Sequence, residues 1–182
     1  MPDSYVIKDQ SGVYFVTFQV VAWVDVFTRK RYCDIVIDSL NFCIEHKYLN
    51  VHAWCIMSNH VHCILSSSNN TLSNTIRDFK RHTSKQILHS IQEDVESRKV
   101  WMLYQFKHAA QQHVRNIDYQ LWTHENHAVY MDPHIKDMYT TKLSYIHQNP
   151  VKAGLVENAE DYLLSSARDY IGKQGLIKVN FI

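Results

Sequence analysis

Residues 54–65 constrain the fold more than any other part of the chain. Trp54 to Met57 and Val61, Cys63, Ile64 and Leu65 are apolar, and they are interrupted by Ser58-Asn59. This reads as two strands joined by a short turn. Side chains two apart in a strand leave the same face, about 6–7 Å from one another. His60 and His62 therefore project together, while Val61 between them points into a core. Two imidazoles on one face can bind a divalent cation if a third ligand comes from elsewhere. The pair alone is a weak signal. The chain has 12 histidines, and His-x-His in a strand is often half-buried without a metal.

Other elements follow from periodicity. Residues 13–23 are rich in β-branched and aromatic side chains and read as a long strand. Apolar residues at helical spacing predict a helix over 32–47, and strands are expected over 49–57 and 60–65. Leu72, Ile76, Phe79, Ile87, Leu88 and Ile91 form the stripe of an amphipathic helix over 72–91. Arg77, Lys80, Arg81 and Lys85 lie off that stripe, with Asp78 the only acid between Arg77 and Lys85. They make either a solvated face or a phosphate-contacting one. Residues 93–120 suggest helix and loop, and 121–130 a fourth strand. A further helix runs through 136–143, with Pro133 near its start and Pro150 and Gly154 marking its stop. Tyr145 and Asn149, four residues apart, share a face of its last turns. The apolar tail 176–182 could add a small edge strand.

This order predicts an α+β fold, with a ferredoxin-like antiparallel sheet and helices packed on one face. The first and third strands would be central, so the strand of His60 and His62 lies mid-sheet with the Tyr145 helix over its active face. All 182 residues would form one domain, with a core over about 13–156 and a C-terminal extension over 157–182.

NHVHCIL and YIHQNPVKAGLV, in this order with a helix-rich stretch between them, resemble the single-tyrosine HUH transposase superfamily. Within it, the chain is more similar to the REP-associated tyrosine transposase-like branch than to the smallest insertion-sequence transposases. The likeness runs from about Val13 to about Tyr170 and includes residues 161–170. The resemblance implies that His60 and His62 hold a divalent metal, Mg²⁺ or Mn²⁺, with the Asn149 amide oxygen as third ligand. Some family members carry glutamine at that position. Tyr145 would attack a phosphodiester of single-stranded or hairpin DNA, giving a 5′-phosphotyrosine and a free 3′-OH, and rejoining would reverse the step. The family works as monomers or homodimers, and the longer C-terminal part here leans towards the monomer. A bacterial, cytoplasmic and nucleoid-associated setting is also implied.

The residues themselves fit this scheme. The bond energy stays in the covalent link, which agrees with the lack of a GxxxxGK[ST] phosphate loop. A net charge of +1 argues against a protein that coats DNA non-specifically, without excluding local basic surfaces. No run of 18 apolar residues spans a membrane, and no signal pattern precedes residue 6. Cys33, Cys43, Cys55 and Cys63 lack CxxC spacing and read as buried thiols of a reducing compartment. Two other readings remain open at this point. One is a catalytically quiet DNA-binding or regulatory protein on the same fold. The other is a structural zinc domain using His60, His62 and Cys55 or Cys63, although the cysteines should alternate to the opposite face. Gln148 is a fallback amide, His147 points away from Tyr145, and His124 or His127 could touch DNA.

Overall fold

The computed structural model describes residues 6–112 and 118–182. Its sheet has the order β2-β3-β1-β4, all antiparallel, with β1 Tyr14–Gln19, β2 Leu49–Ile56, β3 His60–Ser67 and β4 Val129–Tyr130. The first and third strands are central, as the sequence predicts. The Ser58-Asn59 turn is closed by Met57 N–H donating to the His60 carbonyl at 2.8 Å.

Two cores sit on opposite faces of this sheet. Val16, Phe18, Trp54, Ile56, Val61, Cys63 and Leu65 point into the larger one. It is roofed by α1 (Lys30–His46) and α2 (Leu72–Glu93), whose Val36, Leu40, Ile76, Phe79 and Ile87 complete it. The predicted α2 stripe is buried, with Leu88 at its margin. Phe15, Ala53, Cys55 and Ile64 point the other way, into a smaller core covered by α4 (Met138–Lys152) through Ile146 and Leu143. So α1 and α2 share one face, and α4 takes the histidine face. A bulge at His52 shifts the register between Val51 and Ala53, which puts these neighbours into different cores.

The structure differs from expectation at four places. The first strand ends at Gln19 and gives way to a turn over Val21–Trp23 instead of running through 13–23. Only Val129–Tyr130 forms a ladder in the stretch 121–130, with a lone bridge from Trp122 to Val20. Between them the polar run 123–126 bends outwards. Thr123 Oγ1 bonds the Glu125 carbonyl at 3.2 Å, and His127 adopts a left-handed φ of 43°. The helix expected within 93–120 is α3, Lys99–Gln111, whose Met102 and Phe106 enter the larger core. Pro150 does not stop α4, which continues to Lys152. In the last turn, Pro150 forfeits only one N–H bond. The stop is Gly154, at φ 71°, with Leu155 N–H on the Pro150 carbonyl and Gly154 N–H on the Val151 carbonyl, both at 2.9 Å.

The tail 176–182 makes no strand. It lies along the outer edge of β2, where Asn180 N–H donates to the Val51 carbonyl at 2.9 Å. Residues 164–166 cover the rest of that edge. Ile56 N–H donates to the Leu164 carbonyl and Trp54 N–H to Ser166 Oγ, at 2.9 and 3.0 Å.

Candidate active site

Strand alternation puts Phe15 and Thr17 of β1 and His60, His62 and Ile64 of β3 on the α4 face. The register sets Thr17 opposite His62 and Gln19 opposite His60. The two imidazole centroids are 4.6 Å apart. Each ring is fixed through one nitrogen. His60 Nδ1 meets Asn59 Oδ1 at 2.7 Å, and His62 Nδ1 meets Thr17 Oγ1 at 2.9 Å. The amide oxygen only accepts, so His60 Nδ1 carries a proton and its Nε2 presents a lone pair. The same tautomer of His62 leaves its Nε2 as the ligating atom. That atom is buried and has no hydrogen-bond partner among the described residues. Burial lowers the pKa of both rings. For His62, burial with neighbouring His60 and Lys142 brings it to about 3. Both are therefore neutral at physiological pH, the form that binds metal.

Helix α4 brings in the tyrosine. Its Tyr145 ring stands edge-on to His62 at 5.2 Å and to Phe15 at 5.9 Å, and it is 43% exposed. A ring held against the histidines yet open to solvent can meet a polymer from outside. Lys142, one turn earlier, places Nζ over the Phe15 ring at 4.8 Å, adding a positive charge beside the site. Asn149, one turn later, is half-buried. Because the helix end is closed by Gly154, the Asn149 amide is not needed as a cap. Gln148 is exposed. His147 is buried on the other side and bonds Ser166 Oγ at 2.9 Å, so it anchors α4. Tyr139, the other tyrosine of this helix, spends its hydroxyl on the Met131 carbonyl at 2.8 Å.

Among the described residues, no three His, Cys, Asp or Glu side chains are arranged to hold a metal. The buried lone pair of His62, beside that of His60, fits a metal at this place. The expectation that both cysteines leave this face needs correction. Cys63 does, but Cys55 is the cross-strand partner of His62 and shares its face. The parity was readable, since a two-residue turn pairs Met57 with His60 and hence Cys55 with His62. What disfavours Cys55 as a ligand is chemical. Burial pushes its thiol up to about 12, away from the thiolate that zinc requires.

The basic residues of α2 lie across the sheet from this site. Arg77 and Arg81 are exposed and pair with Asp78 at 3.3 and 3.1 Å, and Lys47 meets the same carboxylate at 2.7 Å. Lys85 is exposed. Lys80 differs. Its Nζ donates to the Thr123 carbonyl and to Asn126 Oδ1, both at 2.7 Å, and burial brings it down to about 8. It ties α2 to the bent edge segment, and Arg77, Arg81 and His124 line a groove of about 440 Å³ between them. Asn126 in turn accepts from Thr17 N–H at 2.8 Å, one residue's width from His62. Residue chemistry alone did not single out Thr17, Asn59 or Lys142. Of the three, only Lys142 carries a local signal that could mark it, its i, i+3 spacing to Tyr145.

The sequence profile of IS200-like transposases matches residues 17–117. The chain belongs to the IS200-like transposase family. The matched part of this transposase-family chain includes His60 and His62, and the Tyr145 helix follows it. The fold is that of a REP-associated tyrosine transposase whose structure was solved bound to a REP hairpin. The two share a TM-score of 0.59 and 18% identity, over 99% of this chain and 90% of that one. No curated protein sequence matches at a significant level. No helix among the described residues is long and apolar enough to cross a membrane.

Proposed function

We propose that this protein nicks and rejoins single-stranded DNA, hairpin-forming DNA in particular, through a covalent bond to Tyr145. The observation that carries this reading is the Tyr145 ring standing edge-on to His62, whose buried Nε2 has no hydrogen-bond partner among the described residues. His60, His62 and Asn149 would hold a Mg²⁺ or Mn²⁺ ion. When bound, such an ion polarises a non-bridging phosphate oxygen and offsets charge in the transition state. Three neutral ligands leave its charge undiminished. The Tyr145 oxygen attacks phosphorus and releases its phenolic proton to solvent, while the P–O3′ bond breaks and the leaving O3′ takes up a proton from solvent. The products are a 5′-phosphotyrosine and a 3′-OH. Phe15 packs edge-on against the ring. Lys142 adds attraction for the incoming phosphate.

The Tyr145 ring lies against His62 of the same chain, which is compatible with a site complete in a single copy. A DNA strand touching both this site and Arg77 and Arg81 would have to pass the edge segment 119–126, with phosphate contacts on α2 serving to position it.

The test is a denaturant-resistant adduct with labelled hairpin oligonucleotides in Mn²⁺. Wild type should form it, EDTA should prevent it, and Tyr145→Phe should lose it while keeping fold and DNA affinity. An adduct with Tyr145→Phe would move the nucleophile elsewhere. No adduct from wild type on any hairpin would leave a DNA-binding protein without catalysis.

A further inference from the structure

After Gln19 the chain makes a tight turn over Val21–Trp23, followed by a second over Val26–Thr28. Ala22 and Trp23 are consecutive left-handed residues, at φ 52° and 54°, without a glycine between them. This conformation is unfavourable for L-residues with a Cβ, and such outliers cluster at functional sites. Here it places a tryptophan outside. Trp23 is 63% exposed, whereas Trp54 and Trp122 are buried. The turn is also wired to the histidine site. Val20 and Phe27 N–H groups donate to the Asn59 and Ser58 carbonyls, both at 2.9 Å. Asn59 Nδ2 reaches the Trp23 carbonyl and Asp25 Oδ1, each at 3.4 Å, while its Oδ1 holds His60. Beside it, the Arg98 guanidinium is fixed on the Asp25 carbonyl and Thr28 Oγ1, both at 3.0 Å, and pairs through Nε with the buried Glu96 carboxylate at 3.6 Å, leaving its side chain one-third exposed.

We propose that Trp23 is a stacking platform for an unpaired DNA base flanking the scissile phosphate, with Arg98 beside it favouring the backbone. The inference rests on the reading of the site as a DNA-nicking centre and names how the strand is held there. An indole face accepts any base, so this contact orders the strand without choosing its sequence. Strain in the turn fixes where the platform stands, and Asn59 relates that position to His60.

A Trp101→Phe background leaves Trp23 as the one well-exposed tryptophan, since Trp54 and Trp122 are at most 4% exposed. The probe is (dT)12 in EDTA, followed by tryptophan emission and, for a labelled strand, by anisotropy. Saturable quenching is expected. Trp23→Ala should weaken binding about tenfold, within the range of one lost base stack. Trp23→Phe should stay within about threefold. Unquenched emission despite binding, equal affinity for Trp23→Ala, or no binding of (dT)12 at all would each overturn the proposal. The first of these would point to a protein partner for this face. Quenching without any covalent adduct would instead remove the Tyr145 assignment and leave the platform standing. An adduct formed equally by wild type and Trp23→Ala, without quenching, would do the reverse.

Discussion

Thr17→Val isolates the hydroxyl that orients His62. Valine keeps the branched shape and removes only the bond from Thr17 Oγ1 to His62 Nδ1, now 2.9 Å. His62 Nε2 has no hydrogen-bond partner among the described residues, so both ring nitrogens become unsatisfied. Leaving a buried polar group unpaired costs about 1–3 kcal/mol. For a chain of this size each kcal/mol lowers the melting temperature by about 2–4 °C. A ring freed to turn also binds metal less well. Losing such an orienting partner weakens affinity about 10–100-fold, or about 1.4–2.7 kcal/mol. Calorimetric titration with Mn²⁺ reads the second effect, and thermal melts in EDTA read the first. Thr17→Ser should restore both. In a His62→Ala background, Thr17→Val should change Mn²⁺ binding no further. Wild-type Mn²⁺ affinity in Thr17→Val would refute the claim that this hydroxyl sets the ligand geometry.

Asn149→Leu should lose Mn²⁺ affinity with little change in melting temperature, because Gly154 closes the helix. Unchanged affinity with a lower melting temperature would make the residue structural. Replacing Arg77 and Arg81 together should lower the log–log salt slope of single-stranded DNA binding by about 0.7 per lost phosphate contact, alike for all sequences. An unaltered slope would assign that helix face to solvent. His52 is buried, with Nδ1 on the Asn180 carbonyl at 2.7 Å, and burial lowers its pKa below the usual 6.5. The unfolded chain then takes up its proton first as pH falls. Its stabilising effect is complete above about pH 6.5 and is lost as pH drops through the lower folded value. Urea unfolding in EDTA should show His52→Gln with a flatter acid limb, and identical limbs would contradict this.

The sequence made the hairpin, the α2 stripe and the central place of the histidine strand legible, because each rests on a local period that burial enforces. It also yielded Tyr145 beside the histidine pair, through family motifs more than residue chemistry. What it hid depends on distant partners or backbone detail. Thr17 meets His62 across 45 residues, and nothing in its neighbourhood marks it. The stretch 121–130 has strand-like ends, yet its polar middle leaves the ladder, with Thr123 and Asn126 bonded by Lys80 and His127 at a left-handed φ. The bulge at His52 moves neighbouring side chains to opposite cores, an effect no alternation pattern shows.

The sealing of β2 has a consequence for how the protein is made. Trp54 waits for Ser166, 112 residues later, and His52 for Asn180, 128 residues later. Synthesis delivers the sheet long before its cover. Until then a nascent chain carries an open strand edge, which can template pairing with a neighbour. Contacts of such long separation also form slowly. Crowded translation of this protein should therefore favour misassembly through β2, and its yield should depend on how soon the last stretch of chain reaches that edge.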